Sequence, residues 1–183
     1  MRSKICPSSL ATKIGCAALL LALPAAGIAD TLTTTQAFTA NISPMGKLSV
    51  PASIMLTNST TRFGDFSGSV SVSYWVRTSP GGSGSVTVQA GSGFTPAGGP
   101  AATEVAYSCT GATLGTGCSG MQTIRTTTQT SILSIPGSVC TGGGGSCSGA
   151  VPNTVQMQFN LANRPSFKTG TYSMQLTFTI STL

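Results

Sequence analysis

Thr171-Tyr172-Ser173-Met174-Gln175-Leu176-Thr177-Phe178-Thr179-Ile180-Ser181 alternates between polar and apolar side chains without a break. Successive side chains of an extended chain point to opposite faces. Tyr172, Met174, Leu176, Phe178 and Ile180 therefore share one face, and the hydroxyls and Gln175 the other. A helix would scatter the same residues around its circumference. The run is a strand with one face turned to a core. Two other stretches repeat the pattern. Val155, Met157, Phe159 and Leu161 alternate with Thr154, Gln156, Gln158 and Asn160, and Val70, Val72, Tyr74 and Val76 alternate with Ser69, Ser71 and Ser73 before Arg77.

Working outward, weaker strand signals lie at Leu32 to Ile42, Leu48 to Leu56, Ser85 to Ala90, Glu104 to Cys109, Gln122 to Thr126 and Ser131 to Ile135. Turn chemistry separates them at Ser43-Pro44-Met45-Gly46, Asn58-Ser59, Ser79 to Gly84, Gly91 to Pro100 and Thr141 to Ser146. No stretch holds a period of 3.6 over three turns. About nine short strands without helices predict an all-β fold, a two-sheet immunoglobulin-like sandwich. With no internal repeat and no linker, residues 30–183 are expected to form a single β-sandwich domain.

Residues 1–29 read differently. Arg2, Lys4 and Lys13 precede the apolar run Ile14 to Leu23, and Gly27 and Ala29 supply small residues at −3 and −1 before Asp30. That order is a cleaved signal peptide, its apolar part too short to span a bilayer comfortably. The expected location is secreted or at the cell surface, reached through the periplasm, with no stable membrane insertion.

Charge and composition narrow the function. The chain has nine Lys and Arg, three Asp and Glu and no histidine. Removing the leader leaves a net charge of about +3, and the remaining bases are scattered rather than grouped to follow phosphates, so no nucleic-acid partner is expected. Without histidine, neither a Ser-His-Asp nor a Cys-His arrangement exists. Asp65 and Glu104 are the one pair available for general acid-base work, and neither sits in a catalytic motif. The chain is read as no enzyme, with no cofactor and no metal.

Cys109, Cys118, Cys140 and Cys147 remain after the leader, an even number in an oxidising compartment, so disulfides are expected. Four cysteines allow three pairings. The local pairs Cys109–Cys118 and Cys140–Cys147 are favoured because each closes a short glycine-rich loop able to meet disulfide geometry. A four-cysteine zinc site is the rival, but the spacings are not those of short zinc knuckles. Gly142 to Gly145 lacks the Lys-Ser/Thr and the helix of a phosphate loop. Trp75 falls on the polar face of its strand beside Arg77, where it is either an exposed binding aromatic, a platform for a sugar ring, or a ring covered by neighbouring structure.

Gly170-Thr171-Tyr172 at the mouth of the last strand is the setting of the tyrosine corner that opens strand F in immunoglobulin-like sandwiches. Met174 stands where antibody domains carry a cysteine. On this reading the sandwich lacks its final strand, G, and keeps an apolar groove beside an unpaired edge.

The leader, the alternating Thr-rich stretch Leu32-Thr33-Thr34-Thr35-Gln36-Ala37-Phe38-Thr39-Ala40-Asn41-Ile42 and the terminal Gly-x-Tyr strand together resemble spore-coat-U-type domains of archaic chaperone–usher pilus subunits. The resemblance covers the two ends of the chain. It implies an incomplete immunoglobulin fold completed by a donated strand, first from a periplasmic chaperone and then from the next subunit. The family's cysteine soon after the first strand is missing at Ile42-Ser43-Pro44-Met45. Leu32, Phe38, Ala40 and Ile42 are the candidate donor-strand residues, and the expected function is a structural subunit of a surface fibre or coat that self-associates into a polymer. The alternative is a self-contained secreted sandwich that binds a carbohydrate or a surface partner.

Overall fold

The computed structural model describes residues 36–58, 63–140, 147 and 149–183. Residues 40–183 form one compact unit. Of a second unit, residues 1–39, only 36–39 are described; they are exposed and belong to no helix or strand. The leader, Leu32 and the glycine run at 142–145 lie outside the described residues.

The described residues form ten strands: β1 (Met45–Ser49), β2 (Thr57–Asn58), β3 (Phe66–Arg77), β4 (Gly84–Ala90), β5 (Val105–Thr110), β6 (Thr116–Gly117), β7 (Gln122–Thr123), β8 (Thr130–Ile135), β9 (Asn153–Leu161) and β10 (Leu176–Thr182). One sheet runs β1-β3-β9-β5-β7, with β2 also on β3; the other runs β10-β4-β8-β6. Every ladder is antiparallel. With β1, β3, β9 and β5 as A-B-E-D, and β4 and β10 as C and F, this is the immunoglobulin-like sandwich. One departure is the order of visits, since the chain fills the D position with β5 before β8 takes its place beyond C.

Alternation builds the core. Val70, Val72, Tyr74 and Val76 of β3, Val155, Met157, Phe159 and Leu161 of β9, and Val105 and Tyr107 of β5 are buried against Val86, Val88 and Ala90 of β4 and Ile135 of β8. The β4–β8 register shifts between Val86 and Thr87. The extra residue is a bulge, and it lets the consecutive Ile132 and Leu133 both be buried, which plain alternation forbids.

Two buried phenols find partners inside. Tyr74 bonds the Leu114 carbonyl and accepts from the Leu114 N–H at 3.2 Å. Tyr107 donates towards the Ser131 carbonyl at 2.8 Å and lies 2.9 Å from Thr130 Oγ1, joining β5 to the opposite sheet. Burial pushes both phenols above their ordinary value, with the hydrogen bonds pulling partly back. A raised folded-state pKa stabilises fully below the unfolded value of about 10, and that contribution is lost as pH rises through the folded value. The sandwich should therefore begin to lose stability only above about pH 10 on this account. Circular dichroism followed alongside tyrosinate absorbance checks this. Unfolding of a Tyr74→Phe/Tyr107→Phe double variant at the wild-type alkaline midpoint would assign the loss to other groups.

Three expectations are corrected at the edges. Met45 and Gly46, read as a turn, open β1, because Gly46 pairs with Val76 and leaves room for Ile180; a Cβ there would come within 3.0 Å of the Ile180 side chain. Leu48 to Leu56 is not one strand. Pairing with β3 stops at Ser49 and resumes at Thr57 with two extra residues in between, and Pro51 in that gap has no N–H for a ladder. Residues 36–42 form no strand.

Candidate functional site

The two sheets meet differently at their two flanks. On one flank the edge strands β1 and β10 run beside each other, in contact where Gly46 faces Ile180. Leu176, Phe178 and Ile180 sit opposite Ala90, Val88 and Val86 in the β10–β4 ladder, so all six point into the sandwich. Ala90, Val88 and Val86 are fully buried, yet Leu176, Phe178 and Ile180 are only half-buried. Like Met174, they pack against the core as expected of the apolar face, but at its rim rather than its centre. On the facing lip, Leu48, Val50, Ile54 and Leu56 are half-buried in the same way. Among the described residues no strand pairs with the outer edge of β10. The result is a seam with apolar lips and a row of open backbone groups.

The opposite flank is closed covalently. Cys109 lies in β5 of the first sheet, and Cys118 follows β6 of the second, its N–H bonded to the Ile132 carbonyl at 2.8 Å. Their disulfide, with Cα atoms 5.3 Å apart, is close in sequence but joins the two sheets. Cys140–Cys147 is the second bridge, with Cα atoms 5.5 Å apart. Both local pairings are present, and no thiolate is left for the zinc alternative. Sequence spacing pointed to the pairing; the fact that one bridge crosses the layers depends on where β6 lands, and spacing carried no signal of it.

Tyr172 of the candidate tyrosine corner donates to the Lys168 carbonyl, four residues upstream, at 2.8 Å. Its ring lies on the Gly99 backbone, where a Cβ would meet ring carbons at 2.4 Å. Gly170 sits under the same ring. The stretch before Leu176 is held by an isolated bridge between Ser173 and Thr95 and by the Gly91 N–H donating to the Gln175 carbonyl at 3.0 Å, and the ladder with β4 starts five residues later than the alternation does.

Phe38, Ala40 and Ile42 of the candidate donor stretch are exposed, Phe38 at 91% and Ile42 at 70%. Such large apolar side chains standing free are costly in water unless something covers them. Trp75 is half-buried on the outer face of the first sheet. The Lys47 ammonium stands 4.7 Å from its ring centre, so its face is capped by a neighbour rather than bare. The seam and Trp75 are separate features on separate faces.

Neither a protein-family model nor a curated protein matches the chain. Among the described residues, no helix is long and apolar enough to cross a membrane.

Proposed function

We propose that the chain is a structural subunit of a surface fibre or coat, exported through the periplasm and polymerised by strand donation. The observation that carries this reading is the row Leu176, Phe178 and Ile180, turned inward yet incompletely buried beside an edge of β10 that no described strand pairs. An added strand in the seam would cover the apolar row and satisfy the open backbone groups together. Exposed Phe38, Ala40 and Ile42 supply an alternating segment of the right kind. Donation from one copy to the next is heterologous and does not close on itself, so its product is a filament. The resemblance of both chain ends to spore-coat-U-type domains supports the same reading and adds a periplasmic chaperone as the first occupant of the seam. The disulfides fit the oxidising compartments such a route passes through.

Deleting Asp30 to Phe38 tests the proposal. The truncated chain should stay monomeric, take up a synthetic peptide of residues 30–42 and gain thermal stability on doing so. Full-length protein should form polymers that size-exclusion chromatography and electron microscopy detect. Full-length protein that remains a monomer and ignores the peptide would end the fibre reading and leave a self-contained binding module in its place.

A further inference from the structure

We infer that the outer face of the first sheet carries a binding site for carboxylated sugars, centred on Trp75. The inference stands apart from the fibre reading, since the site lies away from the seam's interior and needs no donated strand. In the β1–β3 ladder, Met45 is paired with Arg77 and Lys47 with Trp75, and all four project outward, opposite to buried Tyr74 and Val76. Together with Gly149 they line a shallow cavity of about 220 Å³. Gly149 has φ +77°, a conformation that glycine adopts freely, and brings backbone so close that a Cβ there would touch Arg77.

The charges in this cluster lack an internal explanation. Lys47 and Arg77 are diagonal neighbours on adjacent strands, and like charges so placed repel. Among the described residues, neither has a carboxylate partner. Glu104 pairs with Arg164 at 3.2 Å, and Asp65 accepts from the Asn163 N–H at 3.2 Å. Asp65 precedes β3 while Arg77 ends it, a separation of about 40 Å along the strand. Two cations have been set side by side at the end of a sheet face that otherwise carries Ser and Thr hydroxyls and Gln and Asn amides.

What such a site takes follows from its parts. The indole offers a flat apolar face to the C–H face of a pyranose. Arg77 uses Nε to hold the Ser43 carbonyl at 3.0 Å, which fixes the guanidinium and leaves its terminal nitrogens to pair with a carboxylate. Lys47 is held over the ring only by a weak contact at an exposed site, so it can swing aside to the same carboxylate. Ser73 and Ser49, paired next along the ladder, and Thr154, paired with Ser73, continue the face with groups suited to sugar hydroxyls. An inorganic anion would use the cations but not the ring; a neutral sugar would use the ring but not the cations. A sugar acid uses both.

Trp75 is the only tryptophan of the chain, so intrinsic fluorescence reports on this site alone. The full chain, in whatever assembly state it is purified, is titrated with galacturonate oligomers, with N-acetylneuraminyl-lactose, with neutral galactose oligomers and with sodium acetate and sulfate. The two carboxylated ligands separate a polyuronate from a sialylated source. Saturable binding of either one, about 10-fold or more tighter than the neutral sugars and the simple anions, is the expected result. It should weaken about 10-fold in each of Lys47→Gln and Arg77→Gln and fall with added salt. Neutral sugars binding equally well, acetate or sulfate binding equally well, or no saturation by either carboxylated ligand would each overturn the inference. Should a variant misfold by circular dichroism, the ligand comparison on the unaltered chain still decides.

Discussion

Phe159→Ala should lower the unfolding free energy by about 3–5 kcal/mol, the usual cost of emptying a filled aromatic site in a core. Phe159 is 2% exposed, sits in the middle layer of the first sheet and packs its ring 6.0 Å from that of Tyr107. Phe178→Ala removes the same atoms from a half-buried position, so in the isolated chain its cost should be clearly smaller, about half as much. Supplying the 30–42 peptide should raise the Phe178 cost towards the Phe159 value while leaving the latter unchanged. Urea denaturation of both variants, with and without peptide, measures all four quantities. Equal costs without peptide would mean that the β10 row is already covered and the seam already filled.

Replacing Cys109 and Cys118 together by alanine should lower stability by roughly 2–3 kcal/mol through the loop entropy returned to the unfolded chain. Chemical denaturation gives the value, and mass spectrometry verifies that Cys140–Cys147 persists. The same replacement at Cys140 and Cys147 opens a loop of similar length, so loop entropy alone makes the two costs nearly equal. An excess at Cys109–Cys118 would measure what joining the sheets adds. A cost near zero would mean that loop entropy in the unfolded chain is not what this bridge contributes.

Much of the architecture was legible because alternation is a local signal. β9, β4, β5 and β8 lie within a residue of where the period of two placed them, and β3 covers its expected stretch and starts three residues earlier, at Phe66. The failures are all at edges, where pairing geometry overrides local pattern. Met45-Gly46 reads as a turn because glycine and the preceding Pro44 punctuate chains, yet a free edge on β3 recruits it into a strand. Residues 50–56 alternate well enough, but Pro51 cannot donate to a ladder and two extra residues break the register. The inward row of β10 reads as core because periodicity reports direction and not cover: Phe178 points in and packs against the core, as read, but is only partly covered. At Trp75 the face was legible and the setting was not, because Lys47 and Met45 reach it only through the β1–β3 register.

A book sewn along its spine opens at the fore-edge, and this sandwich is sewn in that sense. Cys109–Cys118 and the Tyr107 hydroxyl bind the layers together on the β5/β6 flank, while β1 and β10 on the other flank run close beside each other with no ladder and no covalent tie between them. The covalent tie should hold the two sheets more tightly on its own flank than where β1 and β10 meet. Amide exchange should be fastest along the β10 lip and slowest in β9 and β5. Under the strand-donation proposal, motion of that kind would admit a donated strand between the lips without separating the core. Leverage of this kind would let a small displacement at the lips leave Tyr74, Tyr107 and Phe159 undisturbed.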